Sequence, residues 1–199
     1  MFDKLIDIKF AIAYFKFLGC NTRYNMQRLI YMCKLYNINI DVKYRLGCYG
    51  IYSNEISDII DDLLMDDILK ENNGYLDFGE NFDNYIDTKD ILLDDNRDIK
   101  LILINIFSFY CCEGNYLNLI CVSHFFYKQQ KALYENKDKT EILNKLKKLE
   151  YLKNFSDNQI LNVIKNIDII EKEKEKECVK SKVINHVSYL INELDWEKD

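Results

Sequence analysis

Not one proline interrupts this chain of 199 residues, and it holds only six glycines. Proline breaks a helix interior by removing a donor and crowding the preceding turn, so helices here can run without interruption. A loop-rich β-sandwich needs turn residues at every strand end and is argued against. Hydrophobic residues make up 48% of the chain, with 15 Tyr and 11 Phe, so a core is available. That is not the composition of a disordered chain. The length suits one domain or two small ones.

Seven cysteines occur, at 20, 33, 48, 111, 112, 121 and 178, and no pair has C-x-x-C spacing. Adjacent Cys111 and Cys112 are poorly placed for one tetrahedral ion, so the expectation is reduced, mostly buried thiols and no metal. Asp3 and Asp7 stand where a secretory signal wants basic residues. The longest apolar run, "IKLILINIFSFYCC", is broken by "EGN" at 113–115 and is too short for a membrane span. The expectation is a cytoplasmic protein with no membrane partner.

Hydrophobic periodicity outlines the elements. Residues 3–18 read as a buried first helix, and Met26, Leu29, Ile30 and Cys33 place an amphipathic helix over 23–36. Asn37–Asp41 reads as a polar turn and "VKYRLGCYG" as a short strand. Ser53 then caps a helix over 53–70, with Ile56, Ile59, Ile60, Leu63, Leu64 and Ile68 as one stripe. "ENNG" at 71–74 ends it, and "YLDFG" reads as a strand returning along the earlier one. Strand, helix, turn, strand is the outline of a winged helix.

Residues 81–98 read as acidic and irregular, with a short helix near Thr88–Leu93. Residues 99–112 and 115–128 read as two buried helices around Gly114, although the first is also compatible with a strand. Helices are expected over 140–152 and from Ser156, where "SDNQ" is a capping-box pattern. "EKEKEKE" at 171–177 reads as a solvated helix or connector, and residues 178–196 as a terminal helix that caps its own core or pairs with a second copy. The expected class is mainly α with a small β wing: a winged-helix-like domain over 1–98 and a helical domain over 99–199.

Charge is focused. Residues 1–52 carry eight basic and three acidic residues, 53–98 carry three and 15, and 99–199 are nearly balanced. In a DNA-binding winged helix the second helix of the helix-turn-helix lies against phosphates. Here that helix exposes Glu55, Asp58, Asp62 and Asp66, with Asp61 and Asp67 flanking. DNA affinity rests on Lys and Arg, so nucleic-acid binding through 53–70 is argued against. The face is either merely solvated or a docking surface for a basic protein partner, with steering as the physical gain. Its carboxylates do not follow the ligand pattern of a calcium loop. The alternative is a DNA-binding regulator using Lys145, Lys147, Lys148 and Lys153, or the basic Arg23, Arg28, Lys34, Lys43 and Arg45 of the N-terminal part.

Three stretches resemble the YwgA-like family of uncharacterised bacterial and archaeal proteins. They are "RLIYMCKLYNINIDVKYRLGCYGIYSNEISDIIDDLLMDDILKE" at 28–71, "YLNLICVSHFFY" at 116–127 and "KLKKLEYLKNFSDNQILNVIKNI" at 145–167. The turn here reads "YGIYS", with Ile51 where that family commonly has proline. The N-terminal half also has a fainter similarity to the Panacea, or SocA-like, antitoxin domain, which implies a protein-binding role and supplies no catalytic residues.

No phosphate-binding glycine loop, dinucleotide fingerprint or H-E-x-x-H occurs, and no cofactor is called for. His124 neighbours Ser123, but adjacent helical residues point apart, so the two are no nucleophile–base pair. His124 reads as a core or boundary residue. The sequence therefore argues for a non-enzymatic regulatory or adaptor protein.

Overall fold

A computed structural model describes residues 7–36, 38, 40–92, 97–112, 114–133 and 139–175 of the protein. The protein is mainly α-helical with two small β-hairpins. It divides into two compact units, one of residues 2–47 and 51–114, the other of residues 115–199 with the hairpin tip 48–50. The terminal helix expected over 178–196, with Cys178 and His186, lies outside the described residues, as does the connector 134–138.

The first unit opens with α1 (Ile8–Phe17) and α2 (Arg23–Leu35). Asp7 and Thr22 cap them by accepting from the Phe10 and Asn25 amides, which satisfies donors that the first turn leaves open. Phe10, Ile12 and Phe15 of α1 and Met26, Leu29, Ile30 and Cys33 of α2 are buried. Ile38 and Ile40 are buried too, so the segment expected as a polar turn feeds the core.

Strands β1 (Arg45–Gly47) and β2 (Gly50–Tyr52) pair with each other. Helix α3 (Asn54–Met65) follows, capped by Ser53 as expected, with Ile56, Ile60 and Leu63 inward. It ends five residues before the expected 70. Asp67 adopts φ +51, and the Ile68 amide reaches back to the Leu63 carbonyl, closing the helix C-terminus. Residues 69–72 are therefore strand β3 (Leu69–Asn72) rather than the helix end, and β3 pairs antiparallel with β4 (Tyr75–Phe78). Asn73 and Gly74, both at positive φ, make the two-residue turn that a right-twisted hairpin favours. The returning strand thus pairs with β3, not with the strand near 45. Its Leu76 amide also bonds at 2.8 Å to the Asn21 carbonyl, in the turn between α1 and α2. Helices α1, α2 and α3 with the β3–β4 hairpin form the winged-helix-like part.

The register decides what the wing buries. Paired residues share a face, so Leu69, Phe78, Glu71 and Leu76 lie on one side and Lys70, Asp77, Asn72 and Tyr75 on the other. The first side meets the helices. Lys16, 7% exposed, donates to the Leu76 carbonyl at 2.8 Å and lies over the Phe78 ring.

Helix α4 (Phe82–Leu92) replaces the irregular stretch expected there. Phe82 and Ile86, one turn apart, are buried, and α4 packs on α1. Helix α5 (Arg97–Cys112) is a helix and not a strand, and it packs on α1 and α2. The unit therefore continues to 114, past the expected boundary at 98.

The second unit contains α6 (Gly114–Leu133), α7 (Lys139–Lys147) and α8 (Asp157–Glu175), with a 3-10 turn, Glu150–Leu152, between α7 and α8. The expected capping box forms in full: the Gln159 amide donates to Ser156 Oγ, and the Ser156 amide to Gln159 Oε1. Ile142 and Leu146 of α7 and Ile160, Val163, Ile164 and Ile167 of α8 are buried, and α7 packs on α8.

Candidate functional site

Helix α3 is aimed by a buried glutamine. Gln27, 3% exposed on α2, donates from Nε2 to the Ser53 carbonyl at 3.0 Å and to Ser57 Oγ at 3.1 Å. Its Oε1 accepts from the Ser53 amide at 3.0 Å. One side chain thus serves both backbone groups of the α3 cap residue, which is itself buried. Gln27→Leu strips three bonds, leaves the buried Ser53 amide without its acceptor, and leaves the Ser53 carbonyl only the Ser57 amide. We expect a loss of about 2–3 kcal/mol, read as a lower urea midpoint at unchanged slope.

The four acids singled out from the sequence are distributed as follows. Glu55 accepts from the Lys43 amide at 3.0 Å. Asp62 pairs with Lys9 of α1 at 3.0 Å, and Asp66, which is the α3 C-cap, lies 3.8 Å from the same ammonium. Asp58 is exposed and pairs with no described residue. Beside them, Arg23 of α2 holds Asp61 at 2.7 Å and makes a two-pronged contact with Glu71 of the wing at 2.8 and 3.0 Å. Its guanidinium is held above its ordinary pKa, chiefly by the Glu71 bond against the cost of burial. The basic N-terminal part therefore supplies internal partners for much of the acidic segment.

What remains outermost on α3 is Asn54, Asp58, Asp61 and Met65, spaced i, i+4, i+7 and i+11. This stripe is rotated from the expected one and contains a methionine that is 79% exposed. The sequence reading missed Met65 because it ran the helix to 70 and counted only its acids.

Of the alternative lysines, Lys145 pairs with Glu141 at 2.8 Å, Lys147 with Asp157 at 2.9 Å, and Lys153 with Glu150. Lys148 pairs with no described residue. In the N-terminal basic set, Arg28 lies over the Tyr24 ring and is buried, and Arg45 donates to Asn54 at 2.7 Å.

The second unit holds a polar core that the sequence did not reveal. Asp168 and Glu171, one turn apart on α8, are 5% and 1% exposed. Tyr127 donates to Asp168 Oδ1 at 2.7 Å, while Lys139 and Lys172 both reach Asp168 Oδ2, at 3.1 and 2.9 Å. Glu171 meets His124, 2% exposed, at 3.3 Å, and also Lys128. Burial opposes the charge on Asp168, yet the Tyr127, Lys172 and Lys139 bonds outweigh it and hold the carboxyl below its ordinary range. The side chains of α6 here, 124, 127 and 128, stand at i, i+3 and i+4. They match 168, 171 and 172 on α8. His124 is thus a buried core residue in hydrogen-bond contact with Glu171 and does not face solvent.

Cys20, Cys33 and Cys121 are buried free thiols, and Cys48 is an exposed one. Among the described residues, no group of three or more His, Cys, Asp or Glu is arranged to hold a metal ion. None of the described helices is long and apolar enough to cross a membrane. Comparison of the chain with protein-family models, with curated proteins and with solved structures finds no match.

Proposed function

We propose that this is a cytoplasmic, non-enzymatic regulatory or adaptor protein that docks a basic protein segment on the outward face of α3. The observation that supports the reading is the stripe of Asn54, Asp58, Asp61 and Met65. It combines a fully presented methionine with an aspartate that no described residue neutralises. Methionine is a soft, adaptable contact residue, and acids around it select a cationic partner. Glu55, Asp62 and Asp66 flank the stripe and add to its field, discounted by Lys9. The likeness of 28–71 to the YwgA-like pattern and of the N-terminal half to the Panacea antitoxin domain belongs to the same proposal.

Charge reversal tests it. Asp58 makes no described contact, so Asp58→Lys leaves the fold intact and changes only the face. Tagged wild-type and variant protein are compared for what they retain from nuclease-treated extract. The proposal expects a basic protein held by the wild type, released by salt, and absent from the variant. Identical retention by both proteins rejects it.

A further inference from the structure

The tip of the wing exposes a reactive pair. "ENNG" at 71–74 contains the chain's single Asn-Gly sequence, Asn73 and Gly74. Both residues are exposed and form the two-residue turn between β3 and β4, at φ +51 and +81. Asn-Gly favours such a turn because both positions need positive φ. The same pair has a chemistry of its own. The asparagine side-chain amide is an electrophile, and the backbone nitrogen of the next residue is a nucleophile within reach of its Cγ. A side chain on that next residue shields the nitrogen, and glycine has none. Every other asparagine here is followed by a residue that does.

Three observations leave the reaction open in the folded protein. The Asn73 side chain bonds to no described residue, so nothing holds its amide away from the backbone. A Cβ added at Gly74 would meet nothing within 4 Å, so a ring forming here has room. The outermost pair of the hairpin, Asn72 and Tyr75, is exposed on both strands, and fraying of that pair lets the Gly74 nitrogen turn onto Cγ. Other exposed asparagines are held: Asn54 accepts from Arg45, and Asn81 donates to the Asp66 carbonyl.

We infer that Asn73 is a deamidation site, at which the wing tip converts without an enzyme to aspartate or isoaspartate. The Gly74 nitrogen bonds to Asn73 Cγ and gives up its proton. The Cγ–Nδ2 bond breaks, and ammonia leaves with that proton. The product is a cyclic imide, which water opens. Cleavage between Cγ and the nitrogen gives aspartate with the ordinary backbone. Cleavage between the residue 73 carbonyl carbon and the nitrogen gives isoaspartate, whose chain runs through Cβ. Nothing is oxidised or reduced. Either product adds negative charge to the wing tip. Aspartate keeps the turn, since Asp-Gly favours the same type. Isoaspartate lengthens the backbone by a methylene group inside a turn that sets the strand register, and with it the place of Glu71, which Arg23 grips. The site is separate from the α3 stripe and needs no partner there.

The test is incubation of the full folded chain at mildly alkaline pH, where the attacking nitrogen loses its proton more readily, followed by charge-resolved separation and peptide mass mapping. An acidic species is expected to grow with time, with the mass change of amide to acid in the peptide that contains residue 73. Asn73→Gly removes the electrophile and keeps a turn-competent Gly-Gly pair, so the species is expected to be lost. Conversion at residue 73 supports the inference whichever product dominates. A folded chain that stays unconverted at residue 73 overturns it, even where the urea-unfolded chain converts there. So does conversion confined to other asparagines, or an acidic species that forms equally in Asn73→Gly.

Discussion

Gly79→Ala is expected to destabilise the first unit by about 3 kcal/mol, the upper end of the usual cost of overpacking. A Cβ at this position would lie 1.9 Å from the Asp67 carbonyl oxygen and 2.4 Å from its carbon. The next atom, the Ile68 carbonyl carbon, is 2.8 Å away. All three are backbone atoms, so no rotamer change relieves the clash. The surroundings are also pinned: the Gly79 amide bonds to the Ile68 carbonyl, and the Asn81 amide bonds to the Asp67 carbonyl. Relief must come from moving the end of the wing away from the end of α3. For a chain of this size, the melting temperature should fall by roughly 6–12 °C. A melting temperature equal to that of the wild type would show that the two segments do not cross so closely.

Asp168→Ala is expected to cost the second unit about 3 kcal/mol, at the low end for removing one member of a buried ionic cluster. Tyr127 loses its acceptor while fully buried, and that accounts for much of the loss. Lys139 and Lys172 are half-exposed and regain water, which keeps the cost from rising further. The same carboxylate makes stability depend on pH. Its folded pKa lies below the ordinary carboxylate value, so its contribution is complete above the unfolded value of about 3.9 and is lost as pH falls through the folded one. Urea unfolding should show the wild type losing its advantage over Asp168→Asn as pH drops below about 4. An advantage unchanged between pH 7 and pH 3 would contradict the arrangement of Tyr127, Lys139 and Lys172 around this oxygen pair.

The sequence disclosed features whose signals are local. Ser53 and the Ile56–Ile60–Leu63 stripe announced α3, and Ser156 with Gln159 announced α8, because capping and helical periodicity act within a few residues. It misplaced features that depend on backbone geometry or distant neighbours. A left-handed Asp67 ends α3 early, yet aspartate is common inside such stretches, and nothing nearby marks the stop. The partner of β4 was misassigned because "LKEN", mostly exposed, lacks the alternation that marks a half-buried strand. Helix α4 was shortened because a single pair, Phe82 and Ile86, is its described inward face.

The candidate sites follow the same division. Acidity around α3 was legible from composition. Which acids have internal partners was not, since Lys9 and Arg23 lie some 40 to 60 positions away in the chain. The pairing of His124 with Glu171 spans 47 positions, and no spacing rule reaches that far.

The most direct test of the docking face places a photo-crosslinking amino acid at position 65, where the side chain is 79% exposed, with the same group at exposed position 162 as control. Irradiation in nuclease-treated extract should give a discrete product of a basic protein from position 65, none from position 162, and none from position 65 when Asp58→Lys is present. No product at position 65, or one that survives Asp58→Lys, would contradict a partner seated on the α3 stripe.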